Sequence, residues 1–460
     1  MDIRSIKTLE EVRALINARQ PQHVNIGFAD MQGQIRAKYV SREKFLQTID
    51  KGILFPQATL ALDFNDVLRP MPGGQSLADA KFSDNLCRLV PDSGREIPWE
   101  SASRNLFFLF DYVEEEEPIF PRNVYHRVAR KAEQMGYRPF HSCEYEFTLF
   151  NESSRSIREK DYRNLDLATL GKSYNLMLRQ GVDTDFYNAL LDCFACLDVP
   201  LEGVHEEMGA GFMEAALGYQ EGVLAADNAI LFKTFAKILA QRHGRLMTFM
   251  ARWSNDADGQ SGHVHVSLRR PDGESVFHDA SQPNAISQEM RYFIGGMQKL
   301  LPDFLIMFGP TVNSFRRFQP WIFAPITATW GWENRTCALR AIGGSPSSQR
   351  IECRAPGADT NPYLALACAL GMGLWGIENK IEPSEEMQGN VYERMSEIPA
   401  ELKFPSSFGE AIYRYDRSPV AREIFGNAFV DTYVASKYAQ EQEFATLVTD
   451  VERQRFFEFA

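Results

Sequence analysis

Apolar and polar residues alternate in short runs through the first quarter of the chain, and this period of two predicts strands. The run 23–30 is one, Met31-Gln32-Gly33-Gln34 turns the chain, and a second strand passes through Ile35 and Val40. Further strands are predicted over 58–64, with Asp63 near the end, and over 106–112. Leu9, Val12, Leu15 and Ile16 recur at helical spacing ahead of them, and a helix over 41–51 follows the second strand. From Pro121 the longer period dominates, predicting helices over 121–135, 184–197, 222–242 and 286–308. The third of these stops at His243-Gly244, a common helix exit. Another helix starts at Asn361-Pro362, an N-cap followed by a first-turn proline. Between the helices, 143–150 and 263–268 return to strict alternation. No internal repeat or low-complexity tract interrupts the pattern.

These late alternating stretches carry the chemistry. Over 143–150, Glu144 and Glu146 share one face while Tyr145, Phe147 and Leu149 share the other. Alone, this is an ordinary half-exposed strand with an acidic face. Three more stretches repeat the device. His263 and His265 lie on one side of their strand with Ser267, and Arg350 and Arg354 flank Glu352 at the same spacing. Glu206 and Glu207 are followed, across Met208-Gly209-Ala210-Gly211, by Phe212, Met213 and Glu214. Carboxylates crowded together and partly removed from water repel one another unless a cation lies between them. Oxygen donors with an imidazole suit Mg²⁺ or Mn²⁺ better than zinc, and arginines suit a phosphate bridging the ions. The combination points to phosphoryl transfer from a nucleotide.

Composition narrows the class. A chain of 460 residues exceeds what one core supports and divides into two domains, the boundary falling near the acidic run 114–117. A net charge of −12 without a basic tract argues against nucleic acid as partner. Seven scattered cysteines indicate a reducing cytoplasm rather than a disulfide framework, and the lone pair Cys193 and Cys196 reads as two buried faces of a helix. No signal peptide is visible, and the most apolar run, 363–375, is too short for a bilayer, so no membrane partner is expected.

Taken in order, the motifs resemble glutamine synthetase, specifically the bacterial type I form and its γ-glutamyl-amine ligase relatives. They are Glu-x-Glu at 144–146, the pair Glu207 and Glu214, Gly-x-x-x-His-x-His at 259–265, Asn-Ser-Phe-x-Arg at 313–317, Asn334-Arg335, Arg-Ile-Glu-x-Arg at 350–354 and Asn361-Pro362-Tyr363. The resemblance implies an α+β fold with an N-terminal β-grasp domain over 1–115. A catalytic domain of antiparallel strands surrounded by helices would span 116–460. It also implies a dodecamer of two hexameric rings, in which the small domain completes the neighbouring subunit's site. Carried over, Glu146, Glu207 and Glu214 hold one metal ion, and Glu144, His263 and Glu352 another. Arg317 and Arg354 grip L-glutamate, with backbone from Asp258 and Gly259. Arg335, Arg340 and Arg350 face the phosphates of ATP, and Ser267 contacts the nucleotide. Arg317, Arg335 and Asp63 are the expected catalytic residues.

Departures from the family pattern bear on the second substrate. Where the family's flap has a glutamate that helps to bind and deprotonate ammonium, this chain has Phe323, and Trp321 lies beside it. Asp63 takes the place of an ammonium-binding aspartate, but the turn after it is Phe64-Asn65-Asp66. Phe212 and Met213 replace polar residues, and Tyr174 is placed to line the same pocket. Apolar surface binds a carbon-bearing amine where ammonium would need carboxylates. The expected acceptor is therefore a hydrophobic alkyl or aryl monoamine, as a first step of amine catabolism. A polyamine ligase, an ammonia-using enzyme and a catalytically silent oligomer are the rivals. Tyr392, near where some family members are adenylylated, reads as an exposed loop residue.

Overall fold

The computed structural model describes residues 2–69, 82–100, 102, 104–114, 117–322 and 324–460. It is an α+β structure organised by two sheets. The first has six strands: β1 His23–Ala29, β2 Ile35–Ser41, β3 Ile53–Pro56, β4 Asp84–Leu89, β5 Arg95–Glu96 and β6 Leu106–Tyr112. Their order is β2-β1-β6-β4-β3, with β5 also on β6, and β1 runs parallel to β6 while the other pairs are antiparallel. Leu-Phe-Phe-Leu-Phe in β6 is buried throughout, as a strand covered on both faces must be. The helix Leu9–Arg19 packs Val12, Leu15 and Ile16 inward and starts on a capping box between Thr8 and Glu11.

The strand expected over 58–64 is not there. The extended segment lies earlier, at β3, and Gln57–Ala61 forms a 3₁₀ turn that buries the adjacent residues Leu60 and Ala61. A strand would have sent those two side chains to opposite faces.

The second sheet has nine strands: β7 Arg138–Phe150, β8 Leu201–Glu206, β9 Phe212–Leu217, β10 Gln220–Glu221, β11 Leu246–Thr248, β12 Gly262–Arg269, β13 Trp330–Trp332, β14 Leu339–Ile342 and β15 Arg350–Cys353. The order is β13-β14-β15-β12-β7-β9-β8, with β10 and β11 also on β7. Apart from the parallel pair β13 and β14, every pairing is antiparallel. One face of β7 is packed against the helix Leu224–Arg242, where the Tyr145 and Phe232 rings stack with centroids 6.1 Å apart. That packing leaves Glu144 and Glu146 on the opposite face. The helix expected over 286–308 runs as Gln288–Phe304 and then tightens into a 3₁₀ turn, Leu305–Met307. Pro302, inside it, has no N–H to continue the ladder.

Buried polar contacts tie the first sheet to helices that pack on the second. Arg122 pairs with Asp111 of β6 and, at 2.9 Å, with Asp227 of the helix Leu224–Arg242. Asn361 donates to the Asp30 carbonyl at 3.0 Å. Cys193 is buried whereas Cys196 is exposed, because the helix Thr184–Cys196 ends there and its last side chain emerges. Among the described residues, no helix is long and apolar enough to cross a membrane.

Candidate active site

Strand register assembles the site. His263 lies opposite Glu144 on the β12–β7 ladder, His265 opposite Glu352 on β12–β15, and Glu214 opposite Glu146 on β9–β7. Directly opposed residues on one face bring their Cβ atoms to roughly 5 Å, so each rung presents a pair of ligating groups. His263 Nδ1 is 3.5 Å from Glu144 Oε2 and 3.5 Å from Glu352 Oε1, and His265 Nε2 is 3.1 Å from Glu144 Oε1. The hairpin between Glu207 and Glu214 turns on Gly211, whose φ is +62° and whose Cβ, had it one, would lie 2.5 Å from the Leu149 carbonyl oxygen. Only glycine fits such a position without strain.

The six expected metal-site residues meet in one region but divide differently from the expectation. Glu144, His263 and Glu352 form one group with donor atoms all within 4.8 Å of one another. Glu146, Glu207 and Glu214 fall into two overlapping groups, Glu146 with Glu214 and His263, and Glu207 with Glu214 and His205. His263 Nε2 is buried without a hydrogen-bond partner among the described residues. A buried imidazole nitrogen left open among crowded carboxylates fits a divalent cation, and the oxygen-rich donor set fits Mg²⁺ or Mn²⁺.

The electrostatics agree. Burial pushes the Glu144 carboxyl up, but His265 and His263 outweigh it and hold it well below its ordinary range. Burial also opposes ionisation of Glu352, yet Arg354, His263 and His265 bring its carboxyl down to about 2. Glu214 has no cationic side chain of comparable weight. Burial together with Glu144, Glu146 and Glu207 pushes it up to about 9. A cation among these groups would relieve that repulsion.

Arginines surround Glu352. Arg340 donates Nη1 to it at 3.0 Å and Arg354 donates Nη1 to its other oxygen. Arg350 gives Nε to His265 Nδ1 at 3.1 Å. Arg317 is fully buried and donates to the Ala355 carbonyl and to Ser261 Oγ, each at 2.8 Å. Burial draws its guanidinium down to about 10. Gly259 lies so close that a Cβ would approach Arg317 Cγ to 2.6 Å, and Asp258 precedes it in the same loop. Arg335, by contrast, is exposed in the turn between β13 and β14.

A cavity of about 320 Å³ opens beside Glu144 and is lined by His265, Ser267 and Arg350. Phe140 and Tyr219 line it too, and the Arg269 guanidinium lies 4.4 Å over the first ring and 5.8 Å from the second. These flat surfaces suit a stacked heteroaromatic base, and the basic groups suit phosphates. Glu202 reaches the cavity from a register shift in β8. Sequence reading missed Glu202, Tyr219, Arg269 and His205. Only His265 showed itself, through its spacing from His263.

The amine-side residues are more dispersed. Phe212 shares the face of Glu214 and is buried, whereas Met213 points into the core, so of the two only Phe212 faces the site. Tyr174 is exposed and sets its ring edge against His205. Asp63 is bound up in its own loop, accepting from Asn65 N–H at 2.8 Å, Val67 N–H at 3.0 Å and Arg69 Nε at 3.0 Å. Trp321, at φ +70°, is exposed and packs on Tyr392. Tyr392 is not the exposed loop residue expected, because its ring is buried and its hydroxyl donates to the Ala324 carbonyl at 2.9 Å. Phe323 lies outside the described residues.

Comparison with known proteins places this geometry. The model of the glutamine synthetase catalytic domain matches residues 118–456. A type-1 glutamine synthetase 2 from Dictyostelium discoideum is 34% identical, with 95% of this chain and 83% of that protein covered. A glutamate–isopropylamine ligase from a Pseudomonas species is 32% identical, with 98% of both chains covered. The solved structure of apo GmaS without ligand shares the fold, at a TM-score of 0.84 and 24% identity over 97% of this chain and 99% of that one. The chain belongs to the glutamine synthetase family of ATP-dependent carbon–nitrogen ligases.

Proposed function

We propose that this chain joins the γ-carboxylate of L-glutamate to an organic amine, a hydrophobic alkyl or aryl monoamine, through γ-glutamyl phosphate. The observation that carries the reading is the convergence of Glu144, His263 and Glu352 from three adjacent strands, with Glu144 also lining the cavity bounded by Phe140 and Tyr219. The ligase that acts on isopropylamine, similar over its whole length, supports an amine rather than ammonia.

Glu144, His263 and Glu352 would hold one divalent cation, and Glu146, Glu207 and Glu214 would serve a second. Mg²⁺ or Mn²⁺ bound there would neutralise the transferring phosphoryl group. Ser267 and Arg350 hold the nucleotide, and Arg340 and Arg335 balance the charge of its phosphates. Arg354 and Arg317 meet the carboxylates of glutamate beside the Asp258-Gly259 backbone. Stabilising charge that develops on the γ-phosphoryl oxygens is the arginines' largest contribution. The amine enters past Tyr174, Phe212 and Phe323. Asp63, engaged with Arg69 in its own chain, serves the site of a neighbouring subunit in a dodecameric assembly, as the division into domains over 1–115 and 116–460 suggests.

ADP release with glutamate and Mn²⁺, compared across isopropylamine, aniline, putrescine and ammonium, tests the reading. Monoamines should outpace both putrescine and ammonium. Equal use of ammonium would refute the specificity, and no ADP release with any amine would refute the ligase reading and favour a silent oligomer.

A further inference from the structure

The hairpin joining β8 and β9 sets beside Glu207 and Glu214 a donor that the family pattern did not announce, His205. His205 Nε2 lies 3.0 Å from Glu207 Oε1 and 3.8 Å from Glu214 Oε1. The ladder explains the arrangement. His205 is directly opposite Glu214, so imidazole and carboxylate share a rung, and Glu207, just past the end of β8, is fixed over them by its N–H bond to the Phe212 carbonyl at 2.8 Å. The Tyr174 ring meets the imidazole edge-on, with centroids 6.3 Å apart and planes at 83°.

Glu146 is drawn the other way. One of its oxygens accepts from the Ser261 N–H at 2.5 Å, which turns the carboxylate towards β12 and His263. The His263 side chain is 4% exposed, and its Nε2 has no partner among the described residues. Glu214 is therefore flanked by two imidazoles, His263 on the Glu146 side and His205 on the Glu207 side, and belongs to both donor groups.

We infer that His205 is itself a metal ligand, holding a divalent cation through Nε2 together with Glu207 and Glu214. This position is separate from the one served by Glu144, His263 and Glu352. Interligand spacings of 3.0 Å, here a hydrogen bond between imidazole and carboxylate, and 3.8 Å are short enough for one cation to lie about 2.1–2.2 Å from each atom. An imidazole donor makes the position favour Mn²⁺ over Mg²⁺, since nitrogen ligands raise affinity for the later ion. The inference rests on the ligase reading only in needing divalent cations at the site.

The test uses the full chain loaded with Mn²⁺, counting bound ions by continuous-wave electron paramagnetic resonance and reading ¹⁴N coupling by the pulsed method. His205→Gln should weaken one class of bound Mn²⁺ at least about tenfold and remove one class of nitrogen coupling, while the coupling from His263 persists and reports an intact fold. His205→Asp, which restores an oxygen donor, should bind an ion there again with its preference shifted towards Mg²⁺. Unchanged nitrogen coupling in His205→Gln would overturn the inference and reduce His205 to a hydrogen-bond partner of Glu207. Absence of any bound Mn²⁺ in the unaltered protein would instead overturn the metal-dependent reading beneath it.

Discussion

Replacing Glu352 with glutamine keeps the side chain's volume and removes its charge from the centre of the arginine and histidine cluster. Glu352 is 1% exposed, and its carboxyl stands at about 2 where 4.5 is ordinary. At about 1.4 kcal/mol per pH unit, that depression corresponds to about 3 kcal/mol of native-state stabilisation at neutral pH. The variant also leaves Arg340 and Arg354 without the carboxylate they share, and breaking a buried pair by removing one member commonly costs about 3–5 kcal/mol. A destabilisation of about 3 kcal/mol is therefore expected, read by urea unfolding followed through tryptophan fluorescence at a fixed protomer concentration. The sign with pH is settled. A carboxyl depressed in the folded state stabilises above its unfolded value of 4.5, and that contribution fades as pH falls towards 2. The gap between the parent protein and Glu352→Gln should accordingly narrow between pH 5 and pH 3. A gap under about 1 kcal/mol at pH 7, or one that does not narrow on acidification, would refute the electrostatic account.

Gly259→Ala places a methyl group against buried Arg317 and should cost about 1–3 kcal/mol in unfolding measurements, with a raised KM for glutamate as the guanidinium is displaced. Because Glu214 is pushed up to about 9, it is protonated near pH 7.5 in the metal-free protein. Mn²⁺ binding should release close to one proton, seen with an indicator dye and absent in Glu214→Gln. Phe323→Glu should raise the rate with ammonium relative to aniline, and an unmoved ratio would disprove the proposed role of the flap.

Much of the candidate site was legible because a period of two is a local property. Glu144 with Glu146, His263 with His265, and the triplet at Arg350, Glu352 and Arg354 each declare a shared face within one strand. What local reading lacked was register. Nothing in the spacing says that His265 falls opposite Glu352, since that pairing joins segments far apart in the chain, or that His205 falls opposite Glu214, since the conformation of the loop between β8 and β9 sets that register. The same limit hid the shift that turns Glu202 into the cavity. Over 57–61 the alternation of apolar residues misled, because a 3₁₀ turn buries neighbours that a strand would separate.

By itself, then, the amino-acid order determined most of the helices, the acidic and imidazole faces and the need for a cation among them, whereas the α+β class entered through the resemblance of its motifs. Each of the former follows from side-chain chemistry and from periodicity within a few residues. Tertiary structure alone decided how the donors divide into groups, that Arg317 is buried and bound to backbone, and that Glu214 is the carboxyl left uncompensated. Those properties depend on distance and dielectric between residues brought together by packing, and neither is encoded at any one position in the chain.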